Sequence, residues 1–582
     1  MLRRPLYALF MLSMGVTVLV AAVSASGVMS ATKNTTMLYV GVLDGVTFLD
    51  PQLAYADAAA KESWAVLDTT TLTLVRYPDS NQAFTPPLKL EGAAGYPVIS
   101  NSGKTYTWQV RHGLKFNDGT LVTAAAYQRA FERLLSPCMY EGGIGVADFL
   151  DKYIVGGAAF RNAGCQVGTH ISGVIAAAQT LTVNLTQQVP WFTTAMAMPW
   201  FSAVEPTTPY DSTPQTAGAT VFYPSAGPYY VDSVTSGGIV LKKNLHYSGT
   251  RPQGRDQINI LPSGSQTACY NALQGGEIDV DLCGLTSALA TNADNAYGVH
   301  SVTGVPSVSG LPAVTAGSGG QYHVEKTNCV DYLAFDTQNA PTSNVNVRVA
   351  LQYILDRKGL LDILGPYAGT LTDEILPPGM PGYSPGSIWP SSPDPSPFTD
   401  VHNYWGTDLA GSKFVIWHSD STSRTQQAAL IAADLGAYNS AQTAGMNITN
   451  VQSDGGNATQ YYTILGTSPT AKFNIAPATW CADYPDQADV FNVLLSGLNI
   501  HSGPGNTNFS QFTGENALLT AAANSSGATR TQNYLDLDTL IREVDLPLFP
   551  YAVDYARILT SNTVGNWTYN KYLGSPALNA LS

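Results

Sequence analysis

Apolar and polar positions follow two periods along this chain, one of two residues and one of three to four, and the two alternate from end to end. The run Met37-Leu38-Tyr39-Val40-Gly41-Val42 is almost wholly apolar and reads as a buried strand. Leu49-Asp50-Pro51 breaks the pattern, residues 54–67 carry helical spacing, and 69–75 are β-branched and strand-like. Tyr106, Trp108 and Val110 alternate with polar neighbours as one face of a strand, and Asn117-Asp118-Gly119 supplies a tight turn. Thr123 is placed to cap a helix whose apolar stripe is Ala126, Tyr127, Ala130, Phe131, Leu134 and Leu135; Pro137 ends it. Val347, Ala350, Leu351 and Ile354 share another helix face, which predicts core, and Arg348 beside them reads as an exposed or structural charge. Asp356 caps the next predicted helix, 357–364, which Gly365 and Pro366 stop. Residues 301–320 and 384–398 have no period and read as loops. A length of 582 residues predicts about three or four domains, or two large lobes.

Composition narrows the class. Charged residues make up 12% of the chain, about half the usual share, and the net charge is −14 with no Lys/Arg block, which excludes a nucleic-acid binder. The first 25 residues read as an export segment: Arg3 and Arg4, an apolar stretch over 6–23, and the small-residue step Val23-Ser24-Ala25. That segment is a cleaved signal peptide or an anchor, and either places the remainder outside the cytoplasm. Six cysteines, an even number, then predict disulfides, and proximity pairs Cys138 with Cys165 and Cys269 with Cys283. No CxxC spacing is present, so no metal site is expected. HExxH, P-loop and GxGxxG patterns are likewise missing; neither a catalytic constellation nor a cofactor is expected, and the chain does not read as an enzyme.

Late in the chain, Trp480-Cys481-Ala482-Asp483-Tyr484-Pro485 sets a single carboxylate between aromatic rings. A ring face attracts a cation and a desolvated carboxylate pairs with one, so the stretch suits a cationic ligand group. Tyr-Pro-Asp is also ordinary turn chemistry, and the same residues can form a surface turn.

Phe116-Asn117-Asp118-Gly119-Thr120 with Arg133-Leu134-Leu135, then Gly227-Pro228-Tyr229, Asn244 to Tyr247, Gly275 to Asp279, Tyr332 to Gln338, Val347-Arg348-Val349-Ala350-Leu351 with Asp356-Arg357, and Pro377-Pro378-Gly379-Met380 follow one another in an order that resembles the family 5 extracellular solute-binding proteins. These are the dipeptide- and oligopeptide-binding components of ABC importers. The resemblance implies a two-lobed, type II periplasmic-binding-protein-like α/β fold of mixed sheets flanked by helices. Lobe I would comprise 32–75, 200–327 and 550–582, with a subdomain, 76–199, inserted in it; lobe II would be 328–549. It further implies a monomer that captures a peptide ligand between closing lobes and delivers it to a membrane permease, with an oligosaccharide-binding member as the alternative. Asp483 stands where the family pairs a carboxylate with the ligand α-ammonium, Trp480 and Tyr484 would line the cleft beside it, and Tyr55 and Asp57 would contribute from the first lobe. Relatives carry cysteines at both motifs, which implies a Cys329–Cys481 disulfide. Pro477 stands where some oligopeptide binders have an arginine for the ligand carboxylate, so ligand length is left open.

Overall fold

Two long strands, Tyr322–Phe335 and Leu548–Thr560, lie antiparallel, and the large sheet of the protein is built outward from them. The computed structural model describes residues 35–582 except 44, 47, 54–59, 80–82, 84, 86, 143–149, 165–168, 211–222, 395–411, 443–446, 453–457, 467–472 and 501–505. In chain order the main strands of this sheet are β1 (Met37–Val42), β2 (Tyr229–Thr235), β3 (Gly238–Lys243), β4 (Gln257–Pro262), β5 (Val280–Asp281), β6 (Tyr322–Phe335), β7 (Lys413–His418), β8 (Asn447–Gln452), β9 (Ile475–Cys481) and β10 (Leu548–Thr560). Their spatial order is β8-β7-β9-β6-β10-β5-β1-β4-β3-β2. β1 runs parallel to β4 and β5, β7 runs parallel to β8 and β9, and β6 is antiparallel to both β9 and β10. The sheet is therefore mixed. All but one of the fourteen residues of β6 are buried, its polar residues His323, Glu325, Asn328 and Asp331 included.

The alternating segment forms a separate four-stranded antiparallel sheet of Val98–Ser100, Thr105–Gln109, Thr180–Asn184 and Val174–Ala177. The helix Ala124–Leu135 packs on it, and every residue of its predicted stripe is buried. Thr123 stands at its N-terminus but its side chain makes no capping bond; Ala124 N–H donates instead to Ala178 O (3.2 Å). The turn before it is closed by Phe116 N–H to Thr120 O (2.9 Å), with Gly119 at φ +92°. The helix expected over 54–67 is observed at Ala60–Thr70. Asp356 caps Arg357–Asp362 by accepting from Gly359 N–H (2.9 Å).

The motif arginines are structural. Arg133 is fully buried, paired with Asp50 and donating to Gln52 Oε1 (3.0 Å), so two distant motifs hold each other. Arg348 donates to Asp545 O (2.7 Å) and Thr342 O (2.8 Å), and Arg357 donates to Pro550 O (3.1 Å) with its guanidinium 3.8 Å from the centre of the Phe549 ring. Both tie a helix to the chain at β10.

Disulfides join Cys269 to Cys283 and Cys329 to Cys481; Cys138 is also disulfide-bonded, and Cys165 lies outside the described residues. The export segment, 1–25, lies outside them too; among the described residues no helix is long and apolar enough to cross a membrane. The Cys329–Cys481 bond closes a ring with a sequence separation of 152 and sits at the end of the β6–β9 pairing. In the chain-entropy view a ring of this size stabilises by roughly 5 kcal/mol. Replacing both cysteines with serine, the others left intact, is expected to lower the urea unfolding midpoint accordingly; an unchanged midpoint would show that the bond carries no stability.

Candidate functional site

The chain leaves β9 at Cys481 and turns through 482–487 into the helix Ala488–Leu494. The turn is packed in place. Asp486 Oδ1 accepts from Ala488 N–H (2.9 Å) and pairs with Arg530 at 2.5 Å, while Arg530 stands 4.7 Å over the Tyr534 ring. Tyr484 is only 1% exposed and stacks on Trp191 at 4.7 Å between centroids; Trp191 in turn meets Tyr153 edge-on at 5.7 Å. A solvated turn would bury none of these groups, so the surface-turn reading of this stretch does not hold.

Asp483 differs from its neighbours. It is desolvated by the surrounding protein, yet part of its surface stays accessible. Its N–H donates to Asp489 Oδ2 (2.8 Å), and Asp489 is itself buried. Burial holds both carboxyls well above the usual carboxylate range, and for Asp489 the Asp483 charge adds to the effect. The Trp480 indole, half-buried on β9, favours the ionised form of Asp489. Asp486 has Arg530; among the described residues no cation pairs with Asp483 or Asp489. Tyr77 and Tyr572 stack at 4.1 Å close by, near enough that Asp489 disfavours ionisation of both rings' hydroxyls. The arrangement is a desolvated acidic pair among aromatic rings, which stabilises a cationic group brought to it.

Beside the pair runs a strand edge. Ala482 N–H donates to Asn328 O (3.1 Å), so even-numbered residues of β9 turn their backbone groups toward β6, and Thr479 and Cys481 turn theirs away from it. Residues 475–478 are buried, Thr479 and Trp480 partly exposed, and Cys481 exposed. An extended chain can add there by backbone hydrogen bonds.

Sequence reasoning placed Trp480, Asp483 and Tyr484 together, and they are together, although Tyr484 supports the wall from behind. Tyr55 and Asp57 lie outside the described residues. Asp489, Trp191 and Tyr77 were not foreseen. The three-residue spacing of Asp483, Asp486 and Asp489 was the one available signal for the acidic pair. Among the described residues the only metal-ligand cluster is Cys269, Asp281 and Cys283, and its cysteines are joined as a disulfide. Two further cavities, one at Asp68, Glu91 and Arg251 and one at Glu374, Asp538 and Arg542, surround buried ion pairs and have room for about one water each. Neither reaches Asp483.

Comparison with known proteins gives a consistent picture. The profile of the bacterial extracellular solute-binding proteins, family 5 (middle region), matches residues 62–502. The chain is 26% identical over 297 residues to the oligopeptide-binding protein OppA of Bacillus subtilis, spanning about half of each chain (50% and 49%). It is 23% identical over 485 residues to the periplasmic oligopeptide-binding protein OppA of Escherichia coli, covering 78% of both. Among solved structures, the clavulanic acid biosynthesis oligopeptide binding protein 2 superposes with a TM-score of 0.75 at 20% identity, over 94% of this chain and 95% of that one. The fold is that of the type II periplasmic binding proteins.

The acidic pair has a consequence for stability. A carboxyl whose pKa is raised by folding keeps its proton where the unfolded chain, at about 4, has already lost it. Its contribution to stability is then full below about pH 4 and is lost as pH rises through the raised value. Ligand-free protein carrying Asp489→Asn should therefore unfold at a higher temperature than the parent at pH 8 and at nearly the same temperature at pH 4. A difference that is constant with pH would show that Asp489 is not held protonated by the fold.

Proposed function

The chain belongs to the bacterial extracellular solute-binding proteins, family 5, and from that premise we propose that it captures peptides outside the cytoplasm and delivers them to the membrane permease of an ABC importer. The members of this family are substrate-binding proteins, and this chain is read as one that performs no covalent chemistry on its ligand. The observation that carries the reading is Asp483: a partly accessible carboxylate, desolvated, backed by Asp489, without a protein cation among the described residues, and next to an outward-facing strand edge. A peptide supplies what this arrangement lacks. Its α-ammonium meets the carboxylate, and its backbone meets Thr479 and Cys481. A neutral sugar would leave the acidic pair uncompensated, which favours the peptide over the oligosaccharide reading.

The lobes proposed for closure are 32–75 with 200–327 and 550–582, and 328–549, with 76–199 inserted in the first. The crossings proposed for the hinge, near 328 and 549, lie in the middle of β6 and at the start of β10. Closure of such lobes removes water from the site and strengthens the ion pair. The protein would act as a monomer.

Removing one partner of a buried, hydrogen-bonded charge pair costs about 2–5 kcal/mol, so Asp483→Asn should weaken peptide binding by roughly 30- to 3000-fold. N-acetylated peptides, which lack the ammonium, should bind the parent poorly and lose little more in the variant. Calorimetry on the four combinations checks this; equal affinities throughout would remove Asp483 from the site.

A further inference from the structure

The outward edge of β9 is short, and two adjacent tyrosines close it. They project from the helix Ala458–Gly466. The Tyr461 hydroxyl donates to Pro477 O (2.9 Å) and to Trp417 O (3.3 Å), bridging β9 and β7 where they part. The Tyr462 hydroxyl accepts from Thr479 N–H (3.0 Å). Tyr461 is buried, but Tyr462 is partly exposed, with its ring set against Tyr461 at 5.5 Å and Phe509 at 5.7 Å. Arg424 holds the same residue from its side chain, donating to Thr479 Oγ1 (2.7 Å), so the Thr479 N–H stays aimed at the tyrosine.

We infer that Tyr462 sets the length of the ligand, restricting the site to peptides of two or three residues. The inference rests on the peptide reading given above. A peptide anchored by its ammonium at Asp483 and extended along the edge meets Cys481 first. It meets Thr479 two residues later, because outward-facing backbone groups recur every second residue. The Tyr462 oxygen already occupies the hydrogen-bond position on Thr479 N–H that a ligand carbonyl would take. Nothing lies open beyond it: Pro477 has no N–H, and its carbonyl is engaged by Tyr461. The change from exposed to buried residues falls at the same point of the strand, between Ala478 and Thr479. At about 3.3 Å per extended residue, a fourth residue must displace Tyr462 or leave the strand edge, and in either case it forfeits the backbone pairing.

The test uses randomised peptide libraries of two to six residues and reads the lengths retained by the full chain by mass spectrometry. Calorimetry follows on one retained sequence and on the same sequence extended by two alanines at its C-terminus. The parent protein should retain di- and tripeptides and bind the extended form at least tenfold more weakly. Tyr462→Ala should keep the short peptide within about threefold, which also shows that the variant is folded, and should tighten the extended one at least tenfold. Tyr462→Phe, which frees the Thr479 N–H but keeps the ring, should give a smaller gain of the same sign. Retention of four- to six-residue peptides by the parent, or an unchanged short-to-long ratio in Tyr462→Ala, would overturn the length stop while leaving peptide capture intact. Failure to retain any peptide at any length would overturn both.

Discussion

The pairing of β6 with β10 is the constraint on which the remainder depends. Both strands are buried almost throughout, and each half of the large sheet is attached to one of them: β9, β7 and β8 through β6, and β5, β1, β4, β3 and β2 through β10. A slip of one residue in such a strand sends every side chain to the opposite face. Here it would move Val330 and Tyr332 out of the core they share with Trp480 and Tyr484. Arg348 and Arg357 hold the β10 side by binding backbone carbonyls at and just before β10, and the Cys329–Cys481 bond fixes the register of β9 against β6. The position of Asp483, two residues beyond Cys481, follows from this register and not from any local preference of the turn.

The electrostatics at Asp483 and Asp489 run against stability. Asp486 has its arginine, and Arg133 and Arg251 have their carboxylates, while the buried Arg348 and Arg357 are held by backbone carbonyls. Asp483 and Asp489 are left to disfavour each other in a desolvated place. Such a pair costs folding free energy that the surrounding aromatic packing and the disulfide offset, and a bound cation recovers it. The reservoir lies where an ammonium would arrive, so the ligand-free state is the one that carries the strain.

Much of the framework was legible in the sequence because it rests on short-range rules. The stripe of 124–135 and the Asp356 cap follow from spacing within a few residues, and both were found as expected. Thr123 does not cap with its side chain; Ala126 N–H donates to its backbone carbonyl, and the first N–H of the helix, on Ala124, goes to the distant Ala178 O. Arg348 read as an exposed or structural charge, and no local pattern reveals that it and Arg357 will find carbonyls far along the chain. The same limit applies to Asp483. Tyr-Pro-Asp serves a solvated turn and a buried wall equally well; the choice was made by Trp191 and Arg530, which come from distant parts of the chain. Tyr462 carried no signal at all. An aromatic residue on a helix reads as core, and only the partial exposure of this one and its hydroxyl contact with a strand edge distinguish it from Tyr461 beside it.

An open strand edge is a hazard as well as a binding device, because the N–H and C=O groups that accept a ligand will also accept a strand of another molecule. The protein confines the hazard. Only Thr479 and Cys481 offer outward backbone groups that are not shut in by burial, and one of their N–H groups is already held by a hydroxyl. Upstream, proline removes a donor and Tyr461 covers the carbonyl; downstream, the desolvated Asp483 and Asp489 favour a segment that brings a positive charge. A strand edge so short and so flanked cannot template pairing with an ordinary β-strand, which needs several consecutive bonds to offset its ordering. It can hold a short chain that brings its own ammonium. The features that suppress unwanted pairing are therefore the same ones on which the proposed peptide reading rests.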